Sequence, residues 1–97
     1  MIIAELSIFP TSEGASVSTY VKQAVQIIEN SGLKSVTGGM STVIESEDLK
    51  TLFSLIERTH LAMVERGVKR IHIDLRVDHR LDKDASVNSK LKSIGKD

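Results

Sequence analysis

The sequence contains no cysteine and no tryptophan, a single proline, and only three aromatic side chains, Phe9, Phe53 and Tyr20. Without cysteine there are no disulfides, zinc ribbons or thiol nucleophiles. Thirteen Lys and Arg balance thirteen Asp and Glu, so the formal net charge is zero. Nothing therefore draws the chain toward nucleic acid or an anionic membrane surface. No apolar run approaches the roughly 20 residues that cross a bilayer. The opening Met1-Ile2-Ile3-Ala4-Glu5 lacks a basic stretch and meets a carboxylate at once. No signal peptide is expected, and the chain reads as cytoplasmic and soluble.

What is present is ordinary in amount but sharply patterned. The 97 residues, 40% of them hydrophobic, suit one soluble domain spanning 1–97. From Arg70 to Asp78 polar and apolar residues alternate without a break. On a strand this sets Ile71, Ile73, Leu75 and Val77 on one face, and Arg70, His72, Asp74, Arg76 and Asp78 on the other. A sheet buried on both faces would not carry those charges, so one face packs on helices and the other meets water, a ligand or a subunit.

Residues 2–9 read as another strand, with Ile2, Ala4, Leu6 and Ile8 opposed to Ile3, Glu5, Ser7 and Phe9. Pro10 to Gly14 has turn chemistry. A helix is expected from about Val17, capped by Ser16, with the stripe Val17, Tyr20, Val21, Ala24, Ile27 and Ile28 and a stop at Asn30-Ser31-Gly32. Leu33–Thr37 reads as a short strand, Gly38-Gly39 as a turn, and Met40–Glu45 as a strand. Ser46 is expected to cap a second helix, with Glu47 and Asp48 in its first turn. Its stripe is Leu49, Leu52, Phe53, Ile56, His60, Met63 and Val64, ending at Gly67. A polar segment and a weak helix, Ala85 to Ile94, follow the alternating strand.

The order β-α-β-β-α-β predicts an α+β ferredoxin-like sandwich, a four-stranded antiparallel sheet with two helices on one face and the first and third strands central. The other face would carry Glu5, Ser7, His72, Asp74 and Arg76 beside Ile3 and Phe9. It reads as a subunit interface, or else as a solvated face with cross-strand ion pairs. The same element order builds the RNA-recognition module, which stacks bases on aromatics of its central strands. Here those strands offer Phe9 alone, which excludes that reading.

Several stretches, in order, match one known family: Ala4-Glu5-Leu6 leading to Pro10, Gly14-Ala15-Ser16-Val17-Ser18 with Tyr20-Val21, and Gly39 through Thr42-Val43-Ile44-Glu45. His60, Gly67 and Asp78-His79-Arg80-Leu81-Asp82 follow. On these residues the chain resembles the YkoF-like thiamine-binding family. Ser41 and Ser46 stand where that family usually has glycine. The resemblance implies the ferredoxin-like fold, homo-oligomers built as dimers of dimers (homotetramers), and a small-molecule site with no catalytic role and no cofactor. The implied ligand is thiamine or its hydroxymethylpyrimidine portion.

An aminopyrimidine needs fixed donors and acceptors, and a thiazolium prefers a carboxylate or an aromatic face. Glu45 is the candidate acceptor for the amino group. Thr42, Ser16 and Ser18 are candidates for the remaining polar contacts, Met40 or Tyr20 for covering the ring, and Glu5 for a further polar contact. Against these stand plainer readings: Ser16 and Ser46 as helix caps, Glu45 as a solvated strand end. His60, inside an apolar stripe, reads first as a partly buried structural histidine and second as a ligand contact. His72, Asp74, Asp78 and His79 form no closed ligand set at known spacing, so no metal is expected. No nucleophile elbow or phosphate loop is present, and acid–base work by Glu45 or Asp74 with a histidine ranks below binding.

Overall fold

The computed structural model describes residues 1–96. Along the chain run β1 (Ile2–Pro10), α1 (Ser18–Glu29), β2 (Ser35–Thr37), β3 (Thr42–Ser46), α2 (Leu49–Glu65), β4 (Ile71–His79) and α3 (Val87–Ser93). The strands form one antiparallel sheet in the order β2-β3-β1-β4, so β1 and β3 are central as expected. This is the α+β ferredoxin-like arrangement.

Alternation along the strands assigns the faces. Ile2, Ala4, Leu6 and Ile8 of β1 and Ile44 of β3 are buried against Ala24 and Ile28 of α1 and Leu52, Leu55, Ile56 and Met63 of α2. Each large side chain so buried contributes about 1.5–3 kcal/mol. The opposite face carries Ile3, Glu5, Ser7 and Phe9 of β1, facing Asp78, Arg76, Asp74 and His72 of β4 in register. Because β4 lies at the sheet edge, Ile71 and Leu75 pack on the core while Ile73 and Val77 remain 42% and 40% exposed.

Several local expectations are corrected. Ser16 does not cap α1: the cap position is Val17, whose carbonyl accepts from the amides of Tyr20 and Val21, and no side chain completes the cap. Nor does Ser46 cap α2. It remains in β3, fully buried, and its hydroxyl donates to the Asp48 carbonyl at 2.8 Å. Asp48 is the cap, accepting from the Thr51 amide at 2.7 Å, so neither Glu47 nor Asp48 lies within the first turn. The strand expected over Leu33–Thr37 begins only at Ser35, and that expected from Met40 begins at Thr42, because the hairpin closes with the Gly38 amide on the Ser41 carbonyl.

The α2 stripe is rotated from the expected one. Leu52, Leu55, Ile56, Thr59 and Met63 are buried, whereas Leu49, Phe53 and Val64 are exposed and His60 is half-buried. Thr59 enters the core because its hydroxyl donates to the Ile56 carbonyl at 2.7 Å, leaving no unsatisfied polar atom.

The second sheet face is not bare at both ends. Glu45, which faces Ile3 across the strands, accepts from the Val87 amide at 2.5 Å, and Lys90 meets Asp78 at 2.6 Å. These contacts hold the start of α3 over that face, which explains why Ile3 is 8% and Glu45 6% exposed. Ser86 and Ser89 form a reciprocal capping box at its first turn.

A slot where the third strand stops short

β1 is nine residues long, but β3 pairs with it only from Ile2↔Ser46 to Leu6↔Thr42. Beyond Leu6, residues Ser7, Ile8 and Phe9 are held by β4 on one side and have no strand on the other. Alternate residues of a strand send their N–H and C=O to alternate edges. At least one donor–acceptor pair among Ser7, Ile8 and Phe9 therefore points into the gap. The hairpin tip, Gly38 to Ser41, borders the gap, and α1 roofs it.

The result is a cavity of about 280 Å³, near the small end of the ~300–1,000 Å³ usual for ligand pockets. Leu6 and Ile8 make its floor; Val17, Val21, Ala24, Val25 and Ile28 make the α1 wall; Thr37 through Thr42 make the hairpin wall. The polar residues along it are Ser7, Thr37, Ser41 and Thr42, of which Thr42 lies on the core face of β3, and among the described residues no titratable side chain lines it. Thr42 is 5% exposed and Met40 89%, so one belongs to the deep end and the other to the rim.

The structure divides the expected site residues. Thr42 and Met40 line this cavity. Glu5 is outside it, on the other sheet face, but its carboxylate accepts from the Ser41 hydroxyl at 2.8 Å, and Arg76 stands 3.8 Å from its second oxygen. Ser16 and Ser18 are exposed and flank Val17 without lining the cavity. Glu45 is on the opposite face from Thr42, engaged with α3, so the expectation of one pocket joining the two is corrected. Tyr20 also lies elsewhere. Its hydroxyl donates to Glu13 at 2.9 Å, which raises the phenol above its ordinary pKa, and Arg66 stacks 4.0 Å from its ring centre.

Sequence reasoning missed the rest of the wall: Ser7, Val25, Thr37 and Ser41. A signal for Val25 was available, since it lies four residues after Val21 and three before Ile28 and so widens the expected stripe.

On the second face a shallow depression shares Ser7, Phe9, Met40 and Ser41 with the cavity and adds Glu5, His72, Asp74 and Arg76. Phe9 and His72 stack there with ring centres 5.0 Å apart. Among the described residues, no group of three or more carboxylates or imidazoles is placed to hold a metal ion, and no helix is long and apolar enough to cross a membrane.

A UPF0045 protein of Methanocaldococcus jannaschii is 39% identical over 94 residues, covering 97% of this chain and 92% of that protein. The crystal structure of the hypothetical protein from that archaeon superposes with a TM-score of 0.87, covering 98% of this chain and 96% of the other. The UPF0045 protein YqgV of Bacillus subtilis is 36% identical over 101 residues, covering 99% and 96%. A Thermotoga maritima protein, provisionally assigned to thiamine biosynthesis or salvage, shares the fold at a TM-score of 0.80 and 16% identity, covering 96% and 97%. The model of the thiamine-binding protein family matches residues 4–95, and the chain belongs to that family.

Proposed function

We propose that this protein binds thiamine or its hydroxymethylpyrimidine portion in the slot between α1 and the β2–β3 hairpin, without transforming it. The observation that carries this reading is the make-up of the slot. Apolar walls suit a flat heteroaromatic ring, and hydroxyls with an unpaired strand edge suit its donors and acceptors. The absence of a titratable side chain from the walls favours holding a ligand over acid–base chemistry. Family membership and the Thermotoga maritima fold neighbour support the ligand class.

The neutral pyrimidine enters the deep end, where Thr42 offers its hydroxyl. The cationic thiazolium extends toward the rim, near Met40. Glu5 acts through Ser41, fixing its hydroxyl from the far face. Ser16, Ser18 and Glu45 take no part in the deep contact. The working form is a cytoplasmic homo-oligomer, a tetramer built as a dimer of dimers, with no nucleic-acid or membrane partner. Exposed apolar side chains such as Ile73 (42%) and Val77 (40%) support association.

Thermal unfolding with and without each compound tests the reading, because a ligand that binds only the native state raises its stability by mass action. At a hundredfold excess over Kd the gain is about 2.7 kcal/mol, equivalent to roughly 10–20 °C for a domain of this size. A rise with hydroxymethylpyrimidine that Val25→Phe abolishes is the expected result. No rise at millimolar concentration of either compound overturns it in favour of an oligomerisation module without this ligand.

A further inference from the structure

We infer that β4 is an interface strand, pairing antiparallel with β4 of a second copy about a two-fold axis at Leu75, so that two sheets join into one of eight strands. The inference deepens the homo-oligomeric part of the reading above by naming its surface, and it does not depend on the ligand.

The edge is unusually open. β4 pairs with β1 over all nine residues, from Pro10↔Ile71 to Ile2↔His79, without a bulge. Among the described residues no other backbone group bonds to it. Edge strands in monomers are normally blunted by charge, proline or a bulge; β4 has no proline and no bulge, and its charges, Asp74, Arg76 and Asp78, alternate in sign. Instead it leaves Ile73 and Val77 exposed on the helix side of the sheet.

The order of charges specifies the partner. Read antiparallel about Leu75, Asp74 of one copy faces Arg76 of the other, His72 faces Asp78, and Ile73 faces Val77. Between His72 and Asp78 every charge meets its opposite or an imidazole and every apolar side chain meets another, while at the two ends Ile71 faces His79. Slipping two residues one way sets Asp74 against itself and His72 against Arg76. Slipping the other way sets Arg76 against itself and Asp74 against Asp78. A slip of one residue sets charged side chains against the apolar row. Among these registers only the one centred on Leu75 is complementary in charge, and it is also the one that pairs β4 over its full length. Asp78 keeps Lys90 as its partner within the chain, and Arg76 keeps only the long 3.8 Å contact to Glu5. Arg76 is therefore free to reach across.

The test is sedimentation of the full chain with two charge reversals, Asp74→Arg and Arg76→Asp, alone and mixed. Each variant alone sets like charges opposite one another twice, and its self-association weakens by about tenfold or more. The equimolar mixture restores complementary pairs at both positions and recovers the parent's association. The lost Glu5 contact persists in the mixture, so it cannot account for recovery. Ile73→Cys and Val77→Cys, both at exposed positions of a cysteine-free chain, form a disulfide on oxidation only when the two variants are mixed. If the parent oligomerises but the mixture neither recovers nor cross-links, β4 pairing is overturned while the oligomeric reading stands. If the parent sediments as a monomer, both are overturned.

Discussion

Thr42 and Glu45, three residues apart on β3, point to opposite faces of the sheet. Thr42 closes the deep end of the α1 cavity, while the Glu45 carboxylate accepts the Val87 amide at 2.5 Å and holds α3. These two residues of one short strand therefore serve separate purposes, and substitutions separate them.

Glu45→Ala removes a nearly buried acceptor and leaves the Val87 amide without its partner. Loss of about 1–3 kcal/mol of unfolding free energy is expected in urea titrations, with exchange protection lost from α3 first. Affinity for hydroxymethylpyrimidine is expected to remain within about twofold of the parent, since this interaction lies outside the slot.

Substitutions in the slot should behave in the opposite way. Val25→Phe fills the α1 wall at a half-buried position and is expected to abolish binding with little change in stability. Thr42→Val keeps the shape but removes the hydroxyl, weakening binding by about tenfold, in line with one hydrogen bond of ~1–1.5 kcal/mol. Calorimetric titration distinguishes these outcomes.

On α2 the neighbouring residues Leu52 and Phe53 are expected to differ sharply. Leu52 is fully buried, and Leu52→Ala should cost about 2–5 kcal/mol. Phe53 is 49% exposed, and Phe53→Ala should change stability by less than about 0.5 kcal/mol. Denaturant midpoints at one fixed protein concentration make the comparison.

Acid should loosen α3 and the start of α2. Lys90 donates to Asp78, and the Thr51 amide to Asp48; each bond holds its carboxyl below the usual aspartate value. A carboxyl whose pKa is lower in the folded chain contributes stability above its unfolded value, near 3.9, and loses it as pH falls through the folded value. Stability should therefore decline progressively below about pH 4. Asp78→Asn should flatten that decline when urea midpoints are followed from pH 5 to 2.

The strand order and the faces of β1 and β4 were legible because alternation over eight or nine residues admits one strand assignment. The end of β3 was not legible. Ser46, Glu47 and Asp48 offer three polar residues in a row, and the choice of Asp48 as cap depends on Ser46 being buried in the sheet. The α2 stripe was ambiguous because Leu49, Phe53 and Val64 compete with Leu55 and Thr59, and only packing against the sheet decides. The separation of Thr42 from Glu45 was available from parity, since an odd spacing on a strand reverses the face. The slot itself was hidden. It exists because β3 stops opposite Leu6 while β1 continues to Pro10, a register that no local pattern records.

The central claim is that the ligand sits in this slot, and amide chemical-shift mapping during titration with hydroxymethylpyrimidine tests it most directly. The account predicts saturable shifts confined to Ser7–Phe9, Gly38–Thr42 and the Val17–Ile28 side of α1. Saturable shifts centred instead on Glu45, Asp78 and α3, or the absence of any shift at millimolar ligand, would contradict it.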